Sequence, residues 1–158
     1  MKYLNSVITG TGSYIPSVKI SNREFARNTF FKKDESAIET LVDEVIAKFK
    51  DITGIEERRW VTDDLCASHI AAIAAEEAIA TAGIDRETID QIIVSHNFGD
   101  VLQGTIQSDT IPSVASRVKH LLKIKNPACI PYDVIFGCPG WVQGVIQADS
   151  YIKSGLAK

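Results

Sequence analysis

The chain has 158 residues, 45% hydrophobic and 23% charged, with a formal net charge of -3. That is about one domain's length with enough mass for a core, and a mildly acidic balance without a basic face gives nucleic-acid binding no support. No stretch approaches the roughly 20 apolar residues of a membrane helix, and the N-terminus is polar again by Asn5 and Ser6, unlike a secretory leader.

Residues 4–10 read as a first strand, followed by the turn Gly10-Thr11-Gly12-Ser13. No third glycine stands at dinucleotide-fingerprint spacing and Pro16 follows, so the glycines are read as a turn and the chain stays extended. Ser21-Asn22-Arg23-Glu24 has the capping-box pattern and predicts a short helix through Phe25. Ile38, Leu41, Val42, Val45, Ile46 and Phe49 recur at helical spacing and form one apolar stripe. Thr53-Gly54-Ile55 follows, then Glu56-Glu57-Arg58-Arg59, read as an exposed charged face.

Ser68 is placed to cap an alanine-rich helix that ends at Gly83. Its alanines let neighbouring elements approach closely, as in a buried helix. Ile92-Ile93-Val94-Ser95 suits a buried strand. Residues 97–112 form a long polar loop, and loops of that length usually work or move. Helical character returns over residues 113–122, with Val114, Val118, Leu121 and Leu122 on one side, and Asn126-Pro127 ends it. A strand over residues 130–136 leads into a helix from Pro139 to about Gly155. That helix is expected to bury Trp141, Val145, Ala148 and Ile152, with Val142 and Ile146 widening the stripe. The alternation of strands and helices predicts an α/β fold.

Cys138 carries the most chemistry. It sits in Phe136-Gly137-Cys138-Pro139-Gly140-Trp141, where an apolar strand turns into a helix. Unpaired N–H groups and aligned peptide dipoles at a helix N-terminus favour a thiolate, and small neighbours leave room for a substrate. From the residues alone, Cys138 is either a nucleophile or a small buried hydrophobe. Cys66 and Cys129 read as core. Three cysteines without a CxxC pair argue against a disulfide framework and for a reducing cytoplasm. His69, His96 and His120 lack metal-ligand spacing, and no metal or cofactor is expected. A Cys138–His96 dyad of the hydrolase kind stands against a merely solvated His96.

The pattern resembles the N-terminal half of β-ketoacyl-acyl carrier protein synthase III, a thiolase-fold condensing enzyme. The matching pieces are Ile8-Thr9-Gly10-Thr11-Gly12-Ser13-Tyr14-Ile15-Pro16, Thr53-Gly54-Ile55-Glu56-Glu57-Arg58, Ala82-Gly83-Ile84, Ile111-Pro112-Ser113, Tyr132-Asp133-Val134, Gly137-Cys138-Pro139-Gly140 and Tyr151-Ile152-Lys153-Ser154-Gly155. The resemblance covers nearly the whole chain. It implies one βαβαβαββ-type half of a two-half α-β-α-β-α sandwich, so that residues 1–158 are an N-terminal thiolase-like domain without its C-terminal half. It also implies acyl transfer from acyl-coenzyme A or an acyl-acyl carrier protein to Cys138. Decarboxylative condensation with malonyl-acyl carrier protein follows, in fatty acid or related biosynthesis, by a homodimer. Gly140 and Trp141 are expected beside the substrate, and Ile111 at the position that reaches into the partner subunit's acyl tunnel.

The family's His and Asn lie in its C-terminal half, so this chain alone is expected to be acylated but not to condense. Where the family has an Arg two residues before the Gly of Thr-Gly-Ile, this chain has Ile52, and the family's upstream Trp is missing. The loop over residues 97–110 is longer than the family's, and Ile111 replaces a common Phe. These departures imply a donor other than acetyl-coenzyme A, with a longer chain. The alternative reading is a non-catalytic thiolase-like module that binds an acyl chain or a partner protein.

Overall fold

The computed structural model describes residues 5–158; where the sequence predicts one domain, the chain divides into two compact units. The smaller unit comprises Ile15–Thr62. In it, β1 (Val18–Ser21) pairs antiparallel with β2 (Glu57–Trp60), with Val18 opposite Trp60 and Ser21 opposite Glu57. Glu56-Glu57-Arg58-Arg59 is therefore mostly a strand. Side chains alternate along it, so Arg58 turns inward, donating to Asn22 Oδ1 at 2.6 Å and stacking 5.3 Å from the Phe25 ring, while its neighbours are exposed. The capping-box segment forms a 3-10 turn, Asn22–Arg27, and the Ser21 side chain makes no cap bond. The helix α1 spans Val42–Thr53 and ends at Gly54, whose φ is 68°. Ile38 therefore precedes it, and Leu41 sits exposed at its cap. Phe49 of α1 takes Phe25 and Phe30 edge-on, with centroids 6.3 and 5.4 Å away.

The larger unit is organised by two parallel strands, β3 (Gln91–His96) and β4 (Ile130–Ile135), in register from Gln91 opposite Ile130 to His96 opposite Ile135. Parallel strands need cover on both faces, and β3 splits its residues accordingly. Ile92 and Val94 join the core with α2 (Ala67–Ala82) and α3 (Val114–Leu121), where Ala72, Val114, Val118, Leu122 and Cys129 are buried. Ile93 and Ser95 point the other way, against Gly144 and Gly140 of α4 (Gly140–Ser154). The expected α/β class is thus present as an α-β-α arrangement in which β3, α3 and β4 form a βαβ unit.

Several expectations are corrected. Residue 4 lies outside the described residues, and residues 5–10 form no strand; Val7 and Ile8 are exposed there. The Ser6 hydroxyl donates to Asp149 Oδ1 at 2.8 Å, and from Gly10 onward the segment lies against α2. A Cβ on Gly10 would lie 2.3 Å from the Ala78 carbonyl oxygen, and one on Gly12 2.1 Å from that of Ala74. Ser13 N–H donates to Glu77 Oε2 at 2.7 Å, and Thr81 Oγ1 both accepts from Thr11 N–H and donates to its carbonyl. The alanines of α2 do permit close approach. Its cap is Cys66, whose N–H donates to His69 Nδ1, whereas Ser68 is buried in the first turn. Leu121 is exposed and Leu122 takes the core position. The stripe on α4 is only partly covered: Ala148 and Ile152 are half-buried, whereas Trp141, Val142, Val145 and Ile146 are exposed, Trp141 at 70%. Gly140 and Gly144 occupy the contact with β3, so the apolar residues flanking them face outward. Among the described residues, no helix is long and apolar enough to cross a membrane.

Candidate active site

Cys138 stands where β4 hands over to α4. The strand stops at Ile135, Gly137 takes φ 50°, and Pro139 caps α4 without a side-chain hydrogen bond. A positive φ is costly for residues with a Cβ, which explains glycine at position 137. Gly140 N–H donates to the Gly137 carbonyl at 3.1 Å and closes the turn around the cysteine. Cys138 is exposed, one residue ahead of the helix cap. The aligned peptides of α4 place partial positive charge there, which favours an anion.

The other two thiols differ. Cys66 and Cys129 are buried, and burial pushes both thiols above their ordinary range, with Asp100 adding to the effect at Cys66. As expected, both are core residues held protonated.

Gly140 is buried, and a Cβ there would lie 2.0 Å from Ser95 Oγ. Its place is set by helix–strand packing rather than by an open substrate surface. Trp141, on the next position, is exposed and lines a cavity of about 670 Å³ bounded by β3, α4 and the segment after α4, with Ser95, Val145 and Ala148. Cys138 and Ile111 do not line that cavity. Ile111 sits at the end of the long loop, 87% exposed. The turn therefore brings Cys138, Gly140 and Trp141 together, and Ile111 stands on a separate element.

The dyad between Cys138 and His96 does not form. His96 Nδ1 accepts the Gly99 N–H at 2.9 Å, so Nε2 carries the proton and donates to Asp133 Oδ2 at 2.9 Å. Both ring nitrogens are used. Asp133 also accepts the Val114 N–H at 2.8 Å and the Ala115 N–H at 2.7 Å, which caps α3 from outside the helix.

A second polar cluster was not foreseen from the sequence. Asp100 is buried and accepts from the Ser68 N–H at 2.7 Å, the Ser68 hydroxyl at 2.6 Å and Arg117 Nη1 at 3.1 Å. Arg117 also pairs with Asp109 at 2.8 Å, and this holds the Asp109 carboxyl below the usual range. The available signal was an arginine in the first half of a helix, away from the C-terminal turn where Lys119 and His120 suit the helix dipole.

No protein-family model matches the chain. Individual proteins do. The β-ketoacyl-[acyl-carrier-protein] synthase III 1 of Vibrio parahaemolyticus is 37% identical over 153 residues, 97% of this chain and 41% of that protein. The β-ketoacyl-[acyl-carrier-protein] synthase III of Granulibacter bethesdensis is 35% identical over 153 residues, 97% of this chain and 40% of that protein. Among solved structures, 3-oxoacyl-[acyl-carrier-protein] synthase III from Aquifex aeolicus matches with a TM-score of 0.70 at 29% identity, covering 96% of this chain and 41% of that one. Xanthomonas campestris OleA matches with a TM-score of 0.73 at 24% identity, covering 98% and 41%, a likeness of fold. The chain spans about two-fifths of the length of the curated relatives it matches. With its thiolase-like α/β fold, it is a homologue of the β-ketoacyl-acyl carrier protein synthase III proteins, matching them over nearly all of its own residues.

Proposed function

We propose that this chain is the nucleophile-bearing part of a β-ketoacyl-acyl carrier protein synthase III-like condensing enzyme, an acyltransferase of fatty acid or related biosynthesis. One observation carries the reading: of three cysteines, two are buried, and the exposed one, Cys138, is presented on a tight strand-to-helix turn at the N-terminus of α4. The Cys138 thiolate attacks the carbonyl of an acyl-coenzyme A or acyl-acyl carrier protein thioester. The carbon–sulfur bond to the carrier breaks, and the carrier thiol leaves with the proton Cys138 gave up. Backbone N–H groups of the turn, including that of Cys138, are suited to hold the intermediate oxyanion.

Malonyl-acyl carrier protein then loses carbon dioxide, and its enolate carbon attacks the acyl carbon. That step expels the Cys138 thiolate and yields the β-ketoacyl-acyl carrier protein. The His and Asn that the resemblance assigns to it are not in this chain, so this chain by itself performs only the acylation. Ile52 and Ile111 favour a donor longer than acetyl-coenzyme A. The whole protein is read as a cytoplasmic homodimer in which Ile111 enters the partner subunit's acyl tunnel and Trp141 lies beside the acyl group.

Intact mass after incubation with a panel of acyl-coenzyme A and acyl-carrier thioesters tests this. A thioester adduct on the parent and none on Cys138→Ala is the expected result. An equal adduct on both, or no adduct with any donor on the folded whole protein, overturns it.

A further inference from the structure

The loop between β3 and α3 is closed at its base and presents one residue from its end. Asp100 and Asp109 exchange both backbone hydrogen bonds, at 3.0 and 2.8 Å, and form an isolated antiparallel bridge. Residues 101–108 beyond the bridge are exposed. Asp100 is fixed from below by the Ser68 amide and hydroxyl of α2. Arg117 of α3 reaches back to the end of the loop at Asp109, Ile111 and Pro112.

Its guanidinium is shared among four acceptors. Nη1 donates to Asp100 Oδ2 at 3.1 Å, Nη2 to Asp109 Oδ2 at 2.8 Å and to the Ile111 carbonyl at 3.3 Å, and Nε to the Pro112 carbonyl at 3.0 Å. Only a planar, multi-donor cation can serve two carboxylates and two carbonyls at once. One side chain thereby fixes both arms of the loop and the backbone on either side of the Ile111–Pro112 bond. The Ile111 side chain, meanwhile, is left in the open at 87% exposure. A residue with a clamped backbone and a free side chain is held out for contact, not packed.

We propose that Arg117 is the positioning residue for Ile111 and, through it, sets the acyl-chain-length selectivity of the Cys138 site. This rests on the reading of Cys138 as the acylated nucleophile and of Ile111 as a tunnel residue. A rigidly held Ile111 gives a sharp length limit; loosened, it yields to longer chains.

The test is the acylation profile of the whole protein over a series of straight-chain acyl thioesters, with Arg117→Gln, Arg117→Lys, Ile111→Ala and the Arg117→Gln/Ile111→Ala pair. Arg117→Gln should raise the long-to-short ratio of kcat/KM about tenfold, the scale at which an apolar pocket resolves single methylenes, while the rate with the shortest donor stays within about twofold. Arg117→Lys should fall between. If Arg117 acts only through Ile111, the double variant should match Ile111→Ala alone. Arg117→Gln should also speed amide exchange at Asp109, whose N–H is bonded across the bridge.

An acylated parent with an unchanged profile in Arg117→Gln, or full additivity in the double variant, overturns the inference alone. A parent that no donor acylates overturns the reading of Cys138, and the selectivity role falls with it.

Discussion

His96 Nε2 lies 2.9 Å from Asp133 Oδ2, and this contact ties the ends of two adjacent parallel strands to the start of α3. Asp133 sits opposite Val94 in the ladder and accepts three donors: His96 and the amides of Val114 and Ala115. The two amides are among the four that an α-helix leaves unpaired at its N-terminus. A carboxylate there is favoured by hydrogen bonding and by the helix dipole. The neighbouring polar residue on the loop side, Asp100, repeats the device at α2 by accepting the Ser68 amide. Two carboxylates, Asp100 buried and Asp133 half-buried, thus fix the helix starts that surround the strand ends.

Removing Asp133 should cost far more than removing His96. Asp133→Ala leaves two helix amides and an imidazole unpaired, so unfolding in urea should show a loss of about 3 kcal/mol or more. His96→Gln keeps a donor for Asp133 and should cost roughly 1 kcal/mol. His96→Gln should also leave alkylation of Cys138 within about twofold of the parent, because both imidazole nitrogens are already engaged. A large fall in Cys138 reactivity with the fold intact would show His96 to be a base after all.

Glycines in this fold are read by what they touch. A Cβ at position 140 would meet Ser95 Oγ at 2.0 Å and Ser95 Cβ at 3.3 Å. Gly140→Ala should therefore destabilise by about 1–3 kcal/mol, the usual scale of overpacking. Because the closest atom is a hydroxyl, Ser95→Ala in the same chain should restore most of that loss. At Gly12 the obstacle is the helix backbone, the Ala74 carbonyl oxygen at 2.1 Å. Gly12→Ala should cost more than Gly140→Ala, and no single side-chain change should rescue it. Thermal melts of the three variants beside the parent would check the order.

The chain's own pattern carried much of this. The β3 run and the β4–α4 turn with Cys138 were legible because a short apolar strand, a turn glycine and a helix period each have a local signature. The ends of α2, α4 and α1 were legible for the same reason, as Gly83, Gly155 and Gly54 all take positive φ. Long-range pairing was not. The Val18–Ser21 and Glu57–Trp60 strands are short, and their partner is about 40 residues away in sequence, so a charged run looked like a solvated face. The apolar stripe of α4 was legible, but its burial was not, since period alone does not say what covers a face. The role of Arg117 depends on where a loop returns, which no local signal records.

Tyr132 gives the clearest pH signature. Its hydroxyl donates to Gln147 Oε1 at 2.9 Å, and its ring meets that of Tyr151 edge-on with centroids 6.4 Å apart. Burial first, and then Tyr151, pushes its pKa from 10.0 to about 12. The fold favours the neutral phenol, so this contribution to stability is fully present below pH 10 and is lost as pH rises through about 12. An absorbance titration at the phenolate band should show one late-ionising tyrosine, and Tyr132→Phe should remove that late phase. Titration of all tyrosines together near 10 would contradict the packing described.

Native-state alkylation separates the three thiols most directly. Cys66 and Cys129 are buried, and burial holds both thiols protonated. Thiolate supply and access both set the rate of attack on an alkylating reagent. In the folded protein, iodoacetamide should add one group quickly, and peptide mapping should place it on Cys138. Cys138→Ser should abolish the fast phase, while denaturation should expose the two core thiols of the variant. The same fast phase should vanish after pre-incubation with a thioester that acylates the protein, because one sulfur serves both reactions. Fast labelling of Cys66 or Cys129 in the native state would mean that the core opens on the labelling timescale. Fast labelling that survives acylation would separate the exposed thiol from the acylated one and overturn the reading of Cys138 as the acylated residue.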